Sequence, residues 1–183
     1  MKKFTLIFVF GAVCLTTHLK GQTLDLPEKH RLGLGPIAGY DFKLKGPSYG
    51  AGLMYEYKPF RSVGFTSALS YEQTRKDLTG SDFSSDDEGL LKHHLYSASL
   101  GARYYVGSFY LGGALGYAYE YGESQMENGS TIKGGSTNSL YSSLGVGYQA
   151  PLRNGDLLEM ELGSFGTKNS MKLGGTVKYK FLK

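Results

Sequence analysis

Phe109-Tyr110-Leu111-Gly112-Gly113-Ala114-Leu115-Gly116-Tyr117-Ala118-Tyr119-Glu120-Tyr121 is the stretch that decides how this chain folds. Its alternate residues sort into two sets. Phe109, Leu111, Leu115, Tyr117, Tyr119 and Tyr121 are bulky, while Gly112, Ala114, Gly116, Ala118 and Glu120 are small or charged, with Tyr110 as the one large member near an end. A strand sends successive side chains to opposite faces, so the bulky face must meet something apolar and the small face something crowded or wet.

Working outward, the same alternation recurs in eight stretches, residues 31–42, 49–58, 62–73, 93–106, 109–121, 138–150, 156–165 and 170–181. The connections between them alternate in character. Pro59-Phe60-Arg61, Gly107-Ser108 and the run 151–155 read as tight turns, whereas 74–92 and 122–137 read as long polar loops. Short turns at one end and long loops at the other are the asymmetry of a membrane barrel, and an even strand count puts both termini on one side. The expected fold is all-β, an eight-stranded antiparallel up-and-down transmembrane β-barrel.

A soluble barrel with the bulky face inside is the competing fold, and volume argues against it. Eight strands enclose a space just wide enough for side chains or one small ligand. About five bulky residues from each strand, many of them Tyr, would overfill it. The Gly, Ala and Ser face suits a narrow lumen. The tyrosines also gather toward strand ends, at Tyr55, Tyr57, Tyr104, Tyr117, Tyr119, Tyr121, Tyr148 and Tyr179, as the aromatic girdles of a membrane interface do. A mean hydropathy of −0.26 is compatible with this, because half of each strand faces the lumen.

The length of 183 residues fits one domain. Met1-Lys2-Lys3, an apolar run over 4–15 and a polar approach to Gly21-Gln22 have the layout of a cleaved signal peptide. Residues 1–22 are read as the signal and 23–183 as the barrel domain. Cys14 is the only cysteine, and Val13 before it departs from the small residue that a lipidation site wants. Without Cys14 the mature chain has no disulfide, thiolate metal site or Cys nucleophile. Loss of Lys2, Lys3 and Lys20 lowers the 20 basic residues to 17 against 16 acidic ones, so the sequence pI of about 9.0 owes much to the signal and gives no reason to expect nucleic acid as a partner.

The chain resembles the small eight-stranded outer-membrane barrels of the OmpA/OmpX-like group, and more loosely the porin-like outer-membrane β-barrel proteins of Bacteroidota. The resemblance covers residues 31–181 as architecture. Its most specific local match is Lys172-x-Gly174-x-x-Val177-x-Tyr179, extended by Phe181, which is similar to the C-terminal signal read by the barrel assembly machinery. The resemblance implies a cell outer membrane location, assembly by that machinery, and no peptidoglycan-binding domain after the last strand.

Several residue sets invite a chemical reading. The inward positions hold Arg31, Glu56, Glu72, Arg103, Glu120, Glu159, Glu161, Lys172, Lys178 and Lys180. Opposite charges in a narrow lumen must pair, and Glu56, Arg103, Glu159, Glu161 and Lys178 are expected to form a structural charge network, with Glu159 roughly opposite Thr176 and diagonal to Lys178. His93-His94-x-x-Ser97-x-Ser99 holds hydrolase ingredients, and some small outer-membrane barrels modify lipid A; adjacent histidines point to opposite faces, however, so catalysis is not expected. Asp82-Phe83-Ser84-Ser85-Asp86-Asp87-Glu88-Gly89 spaces oxygen ligands as a calcium loop does but lacks the Gly at its sixth place. Lys43, Lys45, Arg75, Lys76, Lys133 and Lys168 fall at the outer loops, where lipopolysaccharide phosphates would suit them. No phosphate loop, dinucleotide fingerprint or metal-spaced His/Cys cluster is present. The expectation is a barrel without cofactor or metal that is not an enzyme. It would serve as a structural or interaction component of the envelope, or as a subunit of a larger outer-membrane complex. A narrow porin is the alternative, and a lipid-modifying enzyme the second.

Overall fold

A computed structural model describes residues 29–78, 89–126 and 131–182. The expected signal peptide at 1–22, Cys14 and the acidic run at 82–88 lie outside these residues. Eight strands follow one another in chain order, β1 (His30–Asp41), β2 (Gly46–Phe60), β3 (Val63–Leu78), β4 (Gly89–Val106), β5 (Phe109–Met126), β6 (Thr131–Pro151), β7 (Leu157–Gly166) and β8 (Met171–Leu182). Each pairs antiparallel with its neighbour, and β1 pairs with β8 to close the barrel.

The alternation in sequence becomes an alternation of environment. Leu100, Leu140, Leu162 and Phe109 are 71%, 70%, 69% and 64% exposed. Leu34, Leu53, Leu69, Leu111, Leu115 and Leu144 join them on the outer wall. The alternate residues are buried inside. A wall of this kind is stable only against hydrocarbon, so the molecule presents the surface of a membrane barrel. Tyr40, Tyr49, Tyr55, Tyr57, Tyr96, Tyr104, Tyr119 and Tyr179 also face outward. At the hairpin end, His94 is stacked on Tyr121 with ring centres 4.6 Å apart and planes at 7°.

Five strands, β2 to β6, are longer than their apolar pattern suggests. Residues 74–78 and 89–92, expected in a loop, pair with each other from Thr74↔His93 to Leu78↔Gly89. Residues 122–126 and 131–137 likewise belong to β5 and β6, with a register shift between Tyr121 and Glu123. The short loop expected at 43–48 is a tighter turn, for β2 already begins at Gly46. The physical reason is common to all three. Backbone pairing continues beyond the apolar band, where polar residues on both faces erase the period-two signal.

The β7–β8 register also differs from expectation. Glu159 lies opposite Lys178, and Thr176 opposite Glu161. Gly166, at φ 135°, still pairs with Met171, and the turn falls on residues 167–170, where Thr167 Oγ1 accepts from the Asn169 and Ser170 N–H groups. Placing the turn one residue later moves every cross-strand partner by two.

The closing seam has one irregularity. Phe42 N–H donates to Met171 O and Lys58 N–H to Lys29 O, so even-numbered residues of β1 direct their backbone groups toward β8. Pro36 is one of them and has no N–H to give. The β1–β8 ladder runs to Leu34↔Tyr179 and resumes at Ile37↔Thr176.

Candidate functional site

The lumen is the place where this sequence concentrates chemistry. Tight turns and the strand ends of β1 and β8 mark one end of the barrel; the longer hairpins mark the other. Near the turn end, Arg103 on β4 reaches across to β7. Its Nη1 donates to Glu159 Oε2 at 2.9 Å and its Nη2 to Glu159 Oε1 at 3.1 Å. The same Nη2 donates to Glu161 Oε2 at 2.7 Å. This two-point fork onto one carboxylate is the strong guanidinium geometry.

Two lysines of β8 complete the cluster. Lys178 Nζ lies 3.6 Å from Glu159 Oε1 and 3.5 Å from Glu161 Oε2. Lys180 Nζ donates to Glu56 Oε2 at 2.7 Å and is also paired with Glu159. Arg103, Lys178 and Lys180 thus face Glu56, Glu159 and Glu161 in equal number. Neutral donors fill the remaining acceptor positions. Tyr110 O–H donates to Glu161 Oε2 at 2.6 Å, Gln149 Nε2 to Glu159 Oε2 at 2.9 Å, and Tyr105 O–H to Glu56. The Arg103 guanidinium lies 4.3 Å over the Tyr110 ring. Gly147 makes room for that ring, since a Cβ there would stand 2.2 Å from its Cζ.

All five residues assigned from sequence to a charge network therefore stand in one contact cluster. Lys180 holds two of its carboxylates, and Tyr105, Tyr110 and Gln149 were missed. Alternation could have found them, because an aromatic or amide on the small-residue face must be placed for its polar tip. Tyr110 was visible as the bulky exception there.

A second layer lies toward the hairpin end. Lys172 Nζ donates to Glu72 Oε2 at 2.7 Å, and both side chains are fully buried. Asp41 accepts from the Lys43 and Leu44 N–H groups at 2.9 and 3.0 Å and from the Ser170 hydroxyl. His93 Nε2 is 3.2 Å from Glu120 Oε2. Between the two layers a cavity of about 90 Å³ is bordered by Thr66, Ser70, Ser97, Ser99, Tyr141 and Ser143, room for several water molecules.

The adjacent histidines part company as strand geometry requires. His93 faces Glu120 inside, while His94 Nδ1 meets Tyr71 Oη at 2.9 Å outside. The Ser97 hydroxyl lies 2.7 Å from that of Ser70 and His93 turns its Nε2 to Glu120, so the two are not joined as a nucleophile to its base. Of the assembly-signal residues, Lys172 is buried in the lumen, Val177 and Tyr179 face outward, Phe181 is half-buried, and Gly174 pairs with Gly39 and Gly163. Lys43, Lys45, Arg75, Lys133 and Lys168 are exposed at the hairpin end and Lys76 is half-buried there. Arg75 stands 5.0 Å over the Tyr49 ring.

The fold and its apolar exterior define an eight-stranded outer-membrane-type β-barrel. Among solved structures, the chain is similar to Ail, the attachment invasion locus protein of Yersinia pestis, with 19% identity and a TM-score of 0.54, over 84% of this chain and 99% of that one. A second Ail structure, in complex with the heparin analogue sucrose octasulfate, gives a TM-score of 0.53 over 83% of this chain and 97% of that one, again at 19% identity. Neisserial surface protein A matches with 14% identity and a TM-score of 0.53, over 84% of this chain and 98% of that one. No protein-family model and no curated protein matches the sequence.

Proposed function

We propose that this chain is an integral outer-membrane barrel with a side-chain-filled lumen, serving the envelope as a structural or interaction component rather than as an open pore or an enzyme. The carrying observation is the cluster of Arg103, Lys178 and Lys180 with Glu56, Glu159 and Glu161, which fills the turn-end cross-section with mutually paired charge. Opening it would expose ions that now satisfy one another. Partners then engage the outer wall and the hairpin end. Outer-membrane lipid meets the apolar band. Lipopolysaccharide phosphates suit the basic rim of Lys43, Lys45, Arg75, Lys76, Lys133 and Lys168. The barrel assembly machinery reads the segment from Lys172 to Phe181, and a larger outer-membrane complex is a natural setting for a barrel this small.

Reconstitution into planar bilayers tests the reading. The expected record shows no large steady conductance, and the same protein fails to release small sugars from loaded liposomes. Steady open-channel currents with sugar release would replace this reading by a porin. Extraction in mild detergent, followed by identification of stoichiometric companions, then separates a solitary envelope barrel from a complex subunit.

A further inference from the structure

Five buried polar side-chain atoms without a hydrogen-bond partner among the described residues come together in one part of the lumen. They are Ser48 Oγ, Thr74 Oγ1, His93 Nδ1 and both carboxylate oxygens of Glu120. Their residues sit on the four successive strands β2 to β5. Ser48 pairs with Thr74, and Thr74 with His93. Glu120 is diagonal to His93, whose cross-strand partner is Gly122, and its Oε2 stands 3.2 Å from His93 Nε2. Ser48, Thr74 and Glu120 are only 4%, 1% and 2% exposed. Folded proteins leave few such atoms, and each has a cause.

Charge identifies the cause. Among the described residues, the buried charges of the hairpin-end layer are three carboxylates, Asp41, Glu72 and Glu120, and one ammonium, Lys172, which is bound to Glu72; Lys76, on the same face of β3 as Thr74, is only half-buried and is engaged elsewhere. Asp41 is satisfied by the turn above it and by Ser170. Glu120 has an imidazole edge and no cation of its own among the described residues. Water would supply hydrogen bonds to these atoms yet leave the excess negative charge among buried side chains, which is costly. Sign rules out an anion. The orphaned atoms are chiefly oxygens, and no group of three or more His, Cys, Asp or Glu side chains among the described residues could hold a metal ion by itself, so a cation here would draw on hydroxyl oxygens and water beside one carboxylate. A hard cation that keeps several of its waters fits such a donor set.

We propose that Glu120, Thr74 and Ser48, with His93 alongside, form a site for a hard divalent cation, calcium or magnesium, in the hairpin-end half of the lumen. Two positive charges offset the surplus of three buried carboxylates over one buried ammonium among the described residues. Glu120 supplies the charged ligand, Thr74 and Ser48 supply neutral oxygens, and water completes the shell. The site is independent of whether the barrel conducts and of what it assembles with.

Protein refolded into detergent without lipopolysaccharide, stripped with EDTA and dialysed, is titrated calorimetrically with calcium chloride and with magnesium chloride. One saturable site is expected for at least one of the two ions, with a Kd on the order of 0.1–1 mM, the range of sites with few charged ligands. Glu120→Gln should weaken it about tenfold or more, since the charged ligand sets the affinity, and Thr74→Val should weaken it by less. Asp86→Asn combined with Asp87→Asn, in the acidic run between β3 and β4, should leave it unchanged. Absence of saturable binding overturns the proposal. So does a titration insensitive to Glu120→Gln, or one abolished by the loop variant. Should Glu120→Gln fail to fold by circular dichroism, Thr74→Val and Ser48→Ala carry the same comparison.

Discussion

At the turn end of the lumen, Arg103 grips Glu159 with two nitrogens and Glu161 with one of them. At the hairpin end, Glu120 has an imidazole 3.2 Å away and no hydrogen bond among the described residues. Both regions bury carboxylates on the small-residue faces of their strands, β2 and β7 in the first and β1, β3 and β5 in the second. Three cations and the polar tips of Tyr105, Tyr110 and Gln149 serve three carboxylates in the first, whereas Lys172 is the single buried ammonium of the second among the described residues. A buried ion is tolerable only when its remaining hydrogen-bonding positions are filled as well. The cluster around Arg103 meets that condition with its own side chains, and Glu120 depends on something added.

Substitutions can break this contrast in order of size. Arg103→Ala leaves Glu159 and Glu161 short of their common partner and should cost about 5 kcal/mol, the upper range for stranding buried charge. Urea unfolding in detergent, followed by circular dichroism because the chain has no Trp, measures it. Lys172→Met strands only Glu72 and should cost about 3 kcal/mol by the same measurement. Adding Glu72→Leu should recover much of that loss, since an apolar pair replaces a buried ion pair at little net cost. Failure to recover would show that the Lys172–Glu72 bridge is tied to more of the hairpin-end layer than the Ser70 hydroxyl that donates to Glu72. Tyr110→Phe removes a 2.6 Å bond to Glu161 and should cost about 2 kcal/mol, as for a hydrogen bond to a charged group. Ser97→Ala, at the cavity between the layers, loses neutral bonds to Ser70 and Tyr141 and should cost about 1 kcal/mol. An effect as large as that of Tyr110→Phe would mean that the cavity is as tightly organised as the turn end.

The fold was legible because lipid and lumen make opposite demands on neighbouring residues, and the stretch 109–121 records both. The strand extensions were not, since beyond the apolar band neither face of residues 74–78 or 131–137 is apolar and pairing leaves no periodic trace. The turn-end charges could be grouped because each sits on the small-residue face. Their exact partners could not, because the β7–β8 turn position fixes the register, and Gly166 and Thr167 divide between strand and turn in a way that composition does not reveal. Lys172–Glu72 joins two strands that are not neighbours, and such a contact depends on barrel closure rather than on any local spacing.

Pro36 gives that closure a kinetic side. Of all the strand pairs, β1 and β8 are the most distant in sequence, so their meeting forfeits the most chain entropy and follows the local hairpins. The proline withholds a rung at mid-height of this last seam, between Leu34↔Tyr179 and Ile37↔Thr176. The ring therefore zips from its two ends toward a missing tooth, and under heat or denaturant it should part there first, with the amides of β1 and β8 exchanging ahead of those of β4 and β5.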